Sequence, residues 1–484
     1  MTRHGLKDPS LFIEKAYVGG QWQNAISGSV FDVDNPSTGE TIGTVPACGA
    51  AETTAAIAAA ETAFTTFRQT TAERRAALLE RWYDLVIENV DDLARIMTLE
   101  QGKPLAEAAG EVRYGASFIK WFAEEARRVN GYTIPSPSQD RRIVVLKEPV
   151  GVSAAITPWN FPIAMITRKC APALAVGCPI IVKPSELTPY SALALALLAE
   201  RAGFPRGTLS VITGLPQEIG AALTGSQTVR KLSFTGSTRV GALLMQQCAG
   251  TIKRLSLELG GNAPFIVFDD ADLDLAVAGV MASKFRNAGQ TCVCANRVLV
   301  QKGIYERFAA RLLEEVAKLT IGDGLTSGSN LGPLINNAAV EKVRAHTSDA
   351  VAKGASLLTR PVPDAGRFVT PIVIGNATVD MRVANEETFG PLVPLFRFDT
   401  DEEAIKIANG TPFGLASYFY TQDLKRSWRV AEALEFGMVG LNTGSVSMEV
   451  APFGGIKQSG LGREGAQVGI DEYLETKSFH ISGL

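Results

Sequence analysis

Val150-Gly151-Val152-Ser153-Ala154-Ala155-Ile156-Thr157-Pro158-Trp159-Asn160-Phe161-Pro162 is where the pattern of the chain changes. An apolar run over 152–156 stops at a polar turn bounded by two prolines, and from here strand-like runs alternate with helical ones. The further strands are expected at 179–182, 208–212, 231–234 and 255–259, with helices such as 191–201 and 218–223 between them. Strands separated by helices must run parallel, with both sheet faces covered, so the expectation is an α/β, Rossmann-type, doubly wound sheet. Such sheets take ligands beyond the carboxyl ends of their strands. The loops at 158–162, 183–186 and 236–241 each follow a strand and are the first places to look for a site.

Outward from this stretch the chain divides. Tyr17-Val18-Gly19-Gly20-Gln21-Trp22 reads as a hairpin and Asn35–Glu40 as a second turn. Residues 51–67 are Ala-rich and helical; Leu78, Leu79, Trp82, Leu85 and Val86 then share one helix face. Gly102-Lys103-Pro104 breaks the helix, and 107–129 resumes it with a packing stripe of Val112, Gly115, Phe118, Ile119 and Phe122. A proline-bearing linker at 131–138 leads to a short strand at 143–146. After Gly261 a second alternation starts, with strands at 264–267 and 297–300 and helices at 273–285, 304–319, 338–354 and 402–409. The expected units are a first α/β domain (1–131 and 151–260), a second α/β domain (261–450) and a small β arm (132–150 and 470–484) that could pair across a subunit boundary.

Composition narrows the function. The 484 residues are too many for one ordinary core, and 46% hydrophobic with 20% charged residues fits a globular protein. A net charge of −3 with scattered basic residues argues against nucleic acid or an anionic membrane as partner. Six cysteines are too few for a disulfide scaffold of this size, so a reducing, cytoplasmic setting is expected. No apolar run reaches the ~18 residues of a membrane span. Three histidines, His4, His346 and His480, lie far in chain from any cysteine pair, so no metal is expected.

Three pieces could form a covalent acyl-transfer site. Cys292, in Asn287-Ala288-Gly289-Gln290-Thr291-Cys292-Val293-Cys294, offers a sulfur nucleophile; Glu258, in Leu257-Glu258-Leu259-Gly260-Gly261-Asn262, offers a base among apolar residues; Asn160 offers an amide donor. Each reads another way when taken alone: a core cysteine, a solvated acid, a turn asparagine.

Taken together, the blocks GQTC, LELGG, TPWNFP, FTGST, EETFGP and PFGG resemble the signature of the NAD(P)-dependent aldehyde dehydrogenase superfamily, in the family's order from Thr157 to Gly455. The resemblance implies an aldehyde dehydrogenase-like fold and aldehyde oxidation through Cys292, with Asn160 stabilising the oxyanion and Glu258 activating water. A Glu at 258 favours water over coenzyme A as acyl acceptor, and Lys169 matches a position thought to tune the site. It implies NAD as cofactor, with NADP possible, held by Trp159, Lys183, Ser185, Glu186, Gly236, Ser237, Leu259 and Glu387. Glu186 would bind both ribose hydroxyls and repel a 2′-phosphate, so NAD should be preferred. The segments 284–294, 454–465 and 471–475 resemble the succinate-semialdehyde dehydrogenases of that family. That closer likeness implies a carboxylate clamp of Arg168, Arg286 and Ser447, which glutarate semialdehyde, one methylene longer, could also use. It further implies a homo-oligomer, dimer or tetramer, joined partly through the arm, and a redox-regulatory role for Cys294 as disulfide partner of Cys292.

Overall fold

A computed structural model of the chain describes residues 3–360 and 365–483. Met1 and Thr2 of the polar N-terminus, residues 361–364 and Leu484, the last residue of the expected arm, lie outside the described residues. Two large sheets organise the rest. The first has eight strands. Val152–Ile156 lies in its middle, parallel to Ile180–Lys183 on one side and Val229–Thr235 on the other. Leu209–Val211 and Arg254–Glu258 extend the parallel part. Four of the five residues of Val152–Ile156 are buried, the fifth partly so, because helices cover both faces. The hairpin Ala16–Val18/Gln21–Gln23 adds an antiparallel edge. Its turn needs left-handed backbone at two successive residues, and Gly19 (φ 60°) and Gly20 (φ 86°) supply it.

The helices on the first sheet follow the sequence periodicity. Leu78, Leu79, Trp82, Leu85 and Val86 of Ala72–Glu88 are all buried. Trp82 is fully enclosed and its indole N–H donates to Leu195 O at 3.1 Å. Trp82→Ala would cost about 3–5 kcal/mol. Gly102 (φ 94°) closes the helix Val90–Gln101, and Leu105–Glu125 starts afresh beyond Pro104.

The second sheet has seven strands and is parallel except for the short edge strand Ser356–Leu357. Its central strands, Ala263–Val267 and Ala295–Gln301, are buried almost throughout. The segment 451–469, which the sequence reading assigns to no unit, links the edge of the first sheet to a separate two-stranded sheet. Ile456–Lys457 pairs with Phe413–Gly414, and Gly460–Leu461 joins the edge of the first sheet with Gly460 opposite Glu258. A third sheet is built from Tyr132–Ile134, Arg141–Pro149 and Leu474–Ser482, antiparallel within the one chain. Among the described residues no helix is long and apolar enough to cross a membrane.

Candidate active site

The carboxyl ends of Val152–Ile156, Val229–Thr235 and Arg254–Glu258 face the loop that enters Ala295–Gln301. Between them lies a cavity of about 370 Å³. Of the residues singled out in the sequence, Trp159, Asn160, Gly236, Ser237, Leu259, Cys292 and Glu387 line it.

Cys292 is half-buried, and burial, with Glu387 as the next cause, pushes its thiol up to about 12 against the pull of Arg168. The resting sulfur is therefore protonated, and its attack needs a proton acceptor. The loop before it is unusual: Asn287 (φ 51°), Ala288 (φ 54°) and Gly289 (φ 77°) are all left-handed. For the two non-glycine residues this costs on the order of 1–3 kcal/mol each. Side chains over-determine the shape. Asn287 N–H donates to Glu107 Oε2 at 2.8 Å, and Asn287 Nδ2 to Asn160 O at 3.0 Å. Gln290 Nε2 donates to Asn287 O at 3.1 Å, while Gln290 Oε1 accepts from Ile335 N at 2.9 Å. Space is as tight as torsion: a Cβ on Gly261 would stand 2.6 Å from Cys292 O.

Asn160 Nδ2 donates to Gln290 O at 3.0 Å, which fixes the amide beside the nucleophile loop. An NH₂ carries two hydrogens, so one remains for a ligand oxygen. A buried platform lies beneath. Lys103 Nζ donates to Asn160 O at 2.8 Å, pairs with Glu111 and sits 4.1 Å from the Phe161 ring centre. Glu111 Oε1 accepts from Ile163 N (3.0 Å) and Ala164 N (3.3 Å), at the start of the helix Ala164–Val176. The sequence reading missed Lys103, Glu107 and Glu111. Lys103 reads there as part of a helix break, and the two acids, four residues apart, belong to no motif.

Glu258 ends its strand wholly buried, with neither carboxyl oxygen hydrogen-bonded. Burial first, and repulsion from Glu464 second, raise its carboxyl well above the ordinary range. Glu464 stays ionised because Lys169 and Arg168 outweigh its own burial. Lys169 is fully buried, pairs with Glu464 and donates to Thr235 Oγ1 at 2.6 Å. Glu464 was also missed; it arrives through the 451–469 segment.

Lys183, Ser185 and Glu186 stand outside the cavity, at the end of the next strand. Lys183 Nζ meets Glu186 Oε2 at 2.9 Å. Burial opposes the charge on Glu186, but Lys183 holds the carboxyl below its usual range. Glu186 is the more open of the two, its side chain 39% exposed. Opposite the cavity mouth, Trp159 and Phe389 meet edge to face at 5.6 Å. Ser237 caps the helix Thr238–Cys248.

The three clamp candidates cluster on the other side of Phe161, around a residue the sequence reading did not single out. Tyr114 hydroxyl lies 2.6 Å from Ser447 Oγ, and its ring lies 6.0 Å from the Arg286 guanidinium. Arg286 also stands 4.8 Å from the Phe161 ring and forms no ion pair among the described residues. Arg168 is fully buried between Phe453 (3.9 Å) and Phe118 (5.2 Å), with Nε 2.6 Å from Glu464 Oε2. Part of its charge is thus already neutralised, while Nη2 has no partner. Tyr114 precedes Phe118 by one helical turn, and only that spacing could have flagged it. Cys292 and Cys294 are both free thiols, and Cys294 Sγ is buried and turned toward Lys284 O (3.9 Å) and Ala295 O (3.7 Å). Among the described residues no group of His, Cys, Asp and Glu could hold a metal ion.

Comparison with known proteins agrees with this geometry. The sequence model of the aldehyde dehydrogenase family matches residues 22–479. A glutarate-semialdehyde dehydrogenase of Pseudomonas putida is 60% identical over 477 residues, 99% of each chain. The succinate-semialdehyde dehydrogenase [NADP(+)] GabD of Escherichia coli is 58% identical over 474 residues, 98% of each. The crystal structure of a succinate-semialdehyde dehydrogenase from Burkholderia pseudomallei superposes with a TM-score of 0.98 at 61% identity, covering 99% of this chain and 100% of that one.

Proposed function

Because the chain belongs to the aldehyde dehydrogenase family, we propose that it oxidises succinate semialdehyde to succinate, with glutarate semialdehyde as the alternative substrate. The observation that carries this reading is the pairing of a nucleophile loop with an unpaired arginine. Arg286 lies six residues before Cys292, faces Tyr114 and Phe161, and forms no ion pair among the described residues, with Glu107 as its electrostatic neighbour. A carboxylate on the far end of the aldehyde would complete it, with Ser447 and the free Nη2 of Arg168 beside it.

The chemistry follows from the residues. Cys292 gives up its proton to solvent water, and the sulfur forms a bond to the aldehyde carbon, whose oxygen becomes an oxyanion. The free N–H of Asn160 and the backbone N–H of Cys292 take the oxyanion, each contributing roughly 3 kcal/mol to lowering the barrier. A nicotinamide dinucleotide along the cavity of Trp159, Gly236, Ser237, Leu259 and Glu387 would supply the hydride acceptor, leaving a thioester on Cys292. The walls fit such a group: flat aromatic faces, the start of the helix Thr238–Cys248 and a carboxylate suited to sugar hydroxyls. Glu258 then takes a proton from water as the water oxygen bonds to the thioester carbon; the carbon–sulfur bond breaks, and the acid and the Cys292 thiolate are released. A carboxyl raised by burial is a stronger base than a solvated one, and nothing else hydrogen-bonds it.

Glu186 beside Lys183 supports a preference for NAD, since a 2′-phosphate would meet its negative charge. A lower KM for NADP than for NAD would remove that role. The third sheet supports assembly of several copies: Phe479, Tyr132 and Ile134 are 52%, 55% and 42% exposed beside open strand edges.

A panel of semialdehydes and neutral aldehydes, read as NADH formation, tests the substrate. The Arg286→Ala variant should lose the succinate and glutarate semialdehydes by about 10²-fold in kcat/KM, as expected when a charge-assisted clamp contact is removed. Butanal should be oxidised nearly as before. An equal loss on both would exclude the clamp.

A further inference from the structure

His346 belongs to neither the nucleophile nor the clamp, yet it is fully buried against the dinucleotide cavity. It sits on the helix Asn337–Ala352, whose first turns bring Ala338, Ala339 and Lys342 to the cavity wall. The adjoining wall is the loop carrying Glu387, Thr388 and Phe389. The imidazole bridges the two. Its Nδ1 lies 3.1 Å from Thr388 Oγ1 and its Nε2 3.2 Å from Glu386 Oε2.

The partners dictate which nitrogen carries hydrogen. Arg382 grips Glu386 through Nε (2.9 Å) and Nη2 (3.0 Å), and that bonding, against some burial, holds the carboxyl down at about 2. An ionised carboxylate only accepts, so Nε2 must donate to it. Burial, with Lys342 and Arg382 nearby, keeps the imidazole below its ordinary range despite Glu386. Nδ1 of the neutral ring then accepts, and the Thr388 hydroxyl donates. Thr388 N–H is tied separately to Asn296 Oδ1 at 3.1 Å. Both polar groups of Thr388 are therefore fixed between two residues that face the cavity, Glu387 and Phe389. Phe389 holds a left-handed φ of 58° while its ring meets Trp159.

We infer that His346 is a positioning residue for dinucleotide binding: by clasping Thr388 and Glu386 it ties the helix Asn337–Ala352 to the Glu387–Phe389 wall and sets where that wall stands. The inference rests on the reading that a dinucleotide occupies this cavity. It assigns His346 no contact with the aldehyde or with Cys292.

Steady-state kinetics of His346→Leu, His346→Gln and Thr388→Val provide the test, with binding of NADH read by tryptophan fluorescence. In His346→Leu the KM for the preferred dinucleotide should rise about tenfold, the loss of one to two buried hydrogen bonds, while kcat and the aldehyde KM stay within about twofold. His346→Gln, which keeps a donor and an acceptor, should recover most of the loss. Thr388→Val should show part of the effect, and combining it with His346→Leu should add little. An unchanged dinucleotide KM in His346→Leu overturns the inference. So does a uniform fall of kcat and both affinities that glutamine fails to rescue. If His346→Leu does not fold, Thr388→Val decides alone: a rise of about threefold supports the role, and no rise excludes it. Wild-type protein that binds neither NADH nor NADPH would instead remove the cavity reading beneath it.

Discussion

The loop that brings Cys292 to the cavity and the loop that brings Glu387 to it both pass through left-handed backbone, but they are held in different ways. Three successive residues, Asn287, Ala288 and Gly289, have positive φ before the nucleophile, whereas Phe389 alone does so beside Glu387. The first loop is fixed from within by Asn287 and Gln290 and from distant parts of the chain by Glu107 and the carbonyl of Asn160, all buried or nearly so. The second is fixed from outside, by Asn296 and by His346 on a separate helix. A sulfur that must meet a carbonyl carbon tolerates little displacement, and an error of about 1 Å can cost 10²-fold in rate. A wall that admits and releases a large cofactor gains from an attachment that a helix shift can relax.

The contrast predicts which properties each side controls. The largest effect belongs to Glu258→Gln, on the nucleophile side. The amide cannot take a proton from water, so steady-state turnover should fall by about 10³-fold, the general-base contribution being ~10²–10⁴. Rapid mixing should still show a burst of NADH close to one per active site, because the steps before hydrolysis do not need this base. A lost burst would place Glu258 earlier in the reaction, and an unchanged steady-state rate would remove it altogether.

Next comes Gln290→Leu, which leaves Ile335 N–H without its partner and takes from Asn287 O one of its two donors, the backbone N–H of residue 290 remaining. The buried orphan costs about 1–3 kcal/mol, and the strained loop loses its internal brace. We expect kcat to fall about 10²-fold with the dinucleotide KM unchanged, alongside a lower Tm. If the dinucleotide KM rose as much as kcat fell, the two loops would not be independent and the comparison would break.

Much of this was readable in the chain itself. Alternating strands and helices give the parallel sheets, because periodicity and length are local properties that survive folding. The face formed by Leu78, Trp82 and Val86 is buried as its spacing requires. Asn160 and the loops at 183–186 and 236–241 follow the carboxyl ends of strands, where sequence alone places a ligand, while Cys292 precedes a strand and faces them. The supports were not readable. Lys103, Glu107 and Glu111 carry charges that look solvated until tertiary packing closes over them. Glu464 acts through a segment that crosses between the sheets, a pairing of Gly460 with Glu258 that no local pattern encodes. Tyr114 joins Ser447 across 333 residues of chain. Arg168 was expected to be free for substrate, and the structure gives Glu464 a share of it. Long-range polar contacts of this kind have no periodicity, so the chemistry shows in sequence before its scaffolding does.

The smallest effect is also the sharpest comparison, because it sets two adjacent carboxylates against each other. Glu386 is drawn down to about 2 by Arg382, while burial pushes Glu387 up to about 7 and the Gly261 N–H opposes that shift. At pH 6 Glu387 is mostly the neutral acid; at pH 8 it is mostly the carboxylate. The ionised form makes the stronger, charge-assisted hydrogen bonds to sugar hydroxyls. The dinucleotide KM should therefore fall as pH rises from 6 to 8, by up to about tenfold, the gain of roughly 1.4 kcal/mol expected between neutral and charged acceptors. Glu387→Gln should abolish this dependence and hold KM at its low-pH value. Glu386→Gln, which keeps an acceptor for His346 and titrates nowhere near this range, should leave both the slope and the value within about twofold. If Glu386→Gln flattened the profile as well, the pH dependence would be entering through His346, and the wall anchored from outside would be titrating as one unit with its anchor.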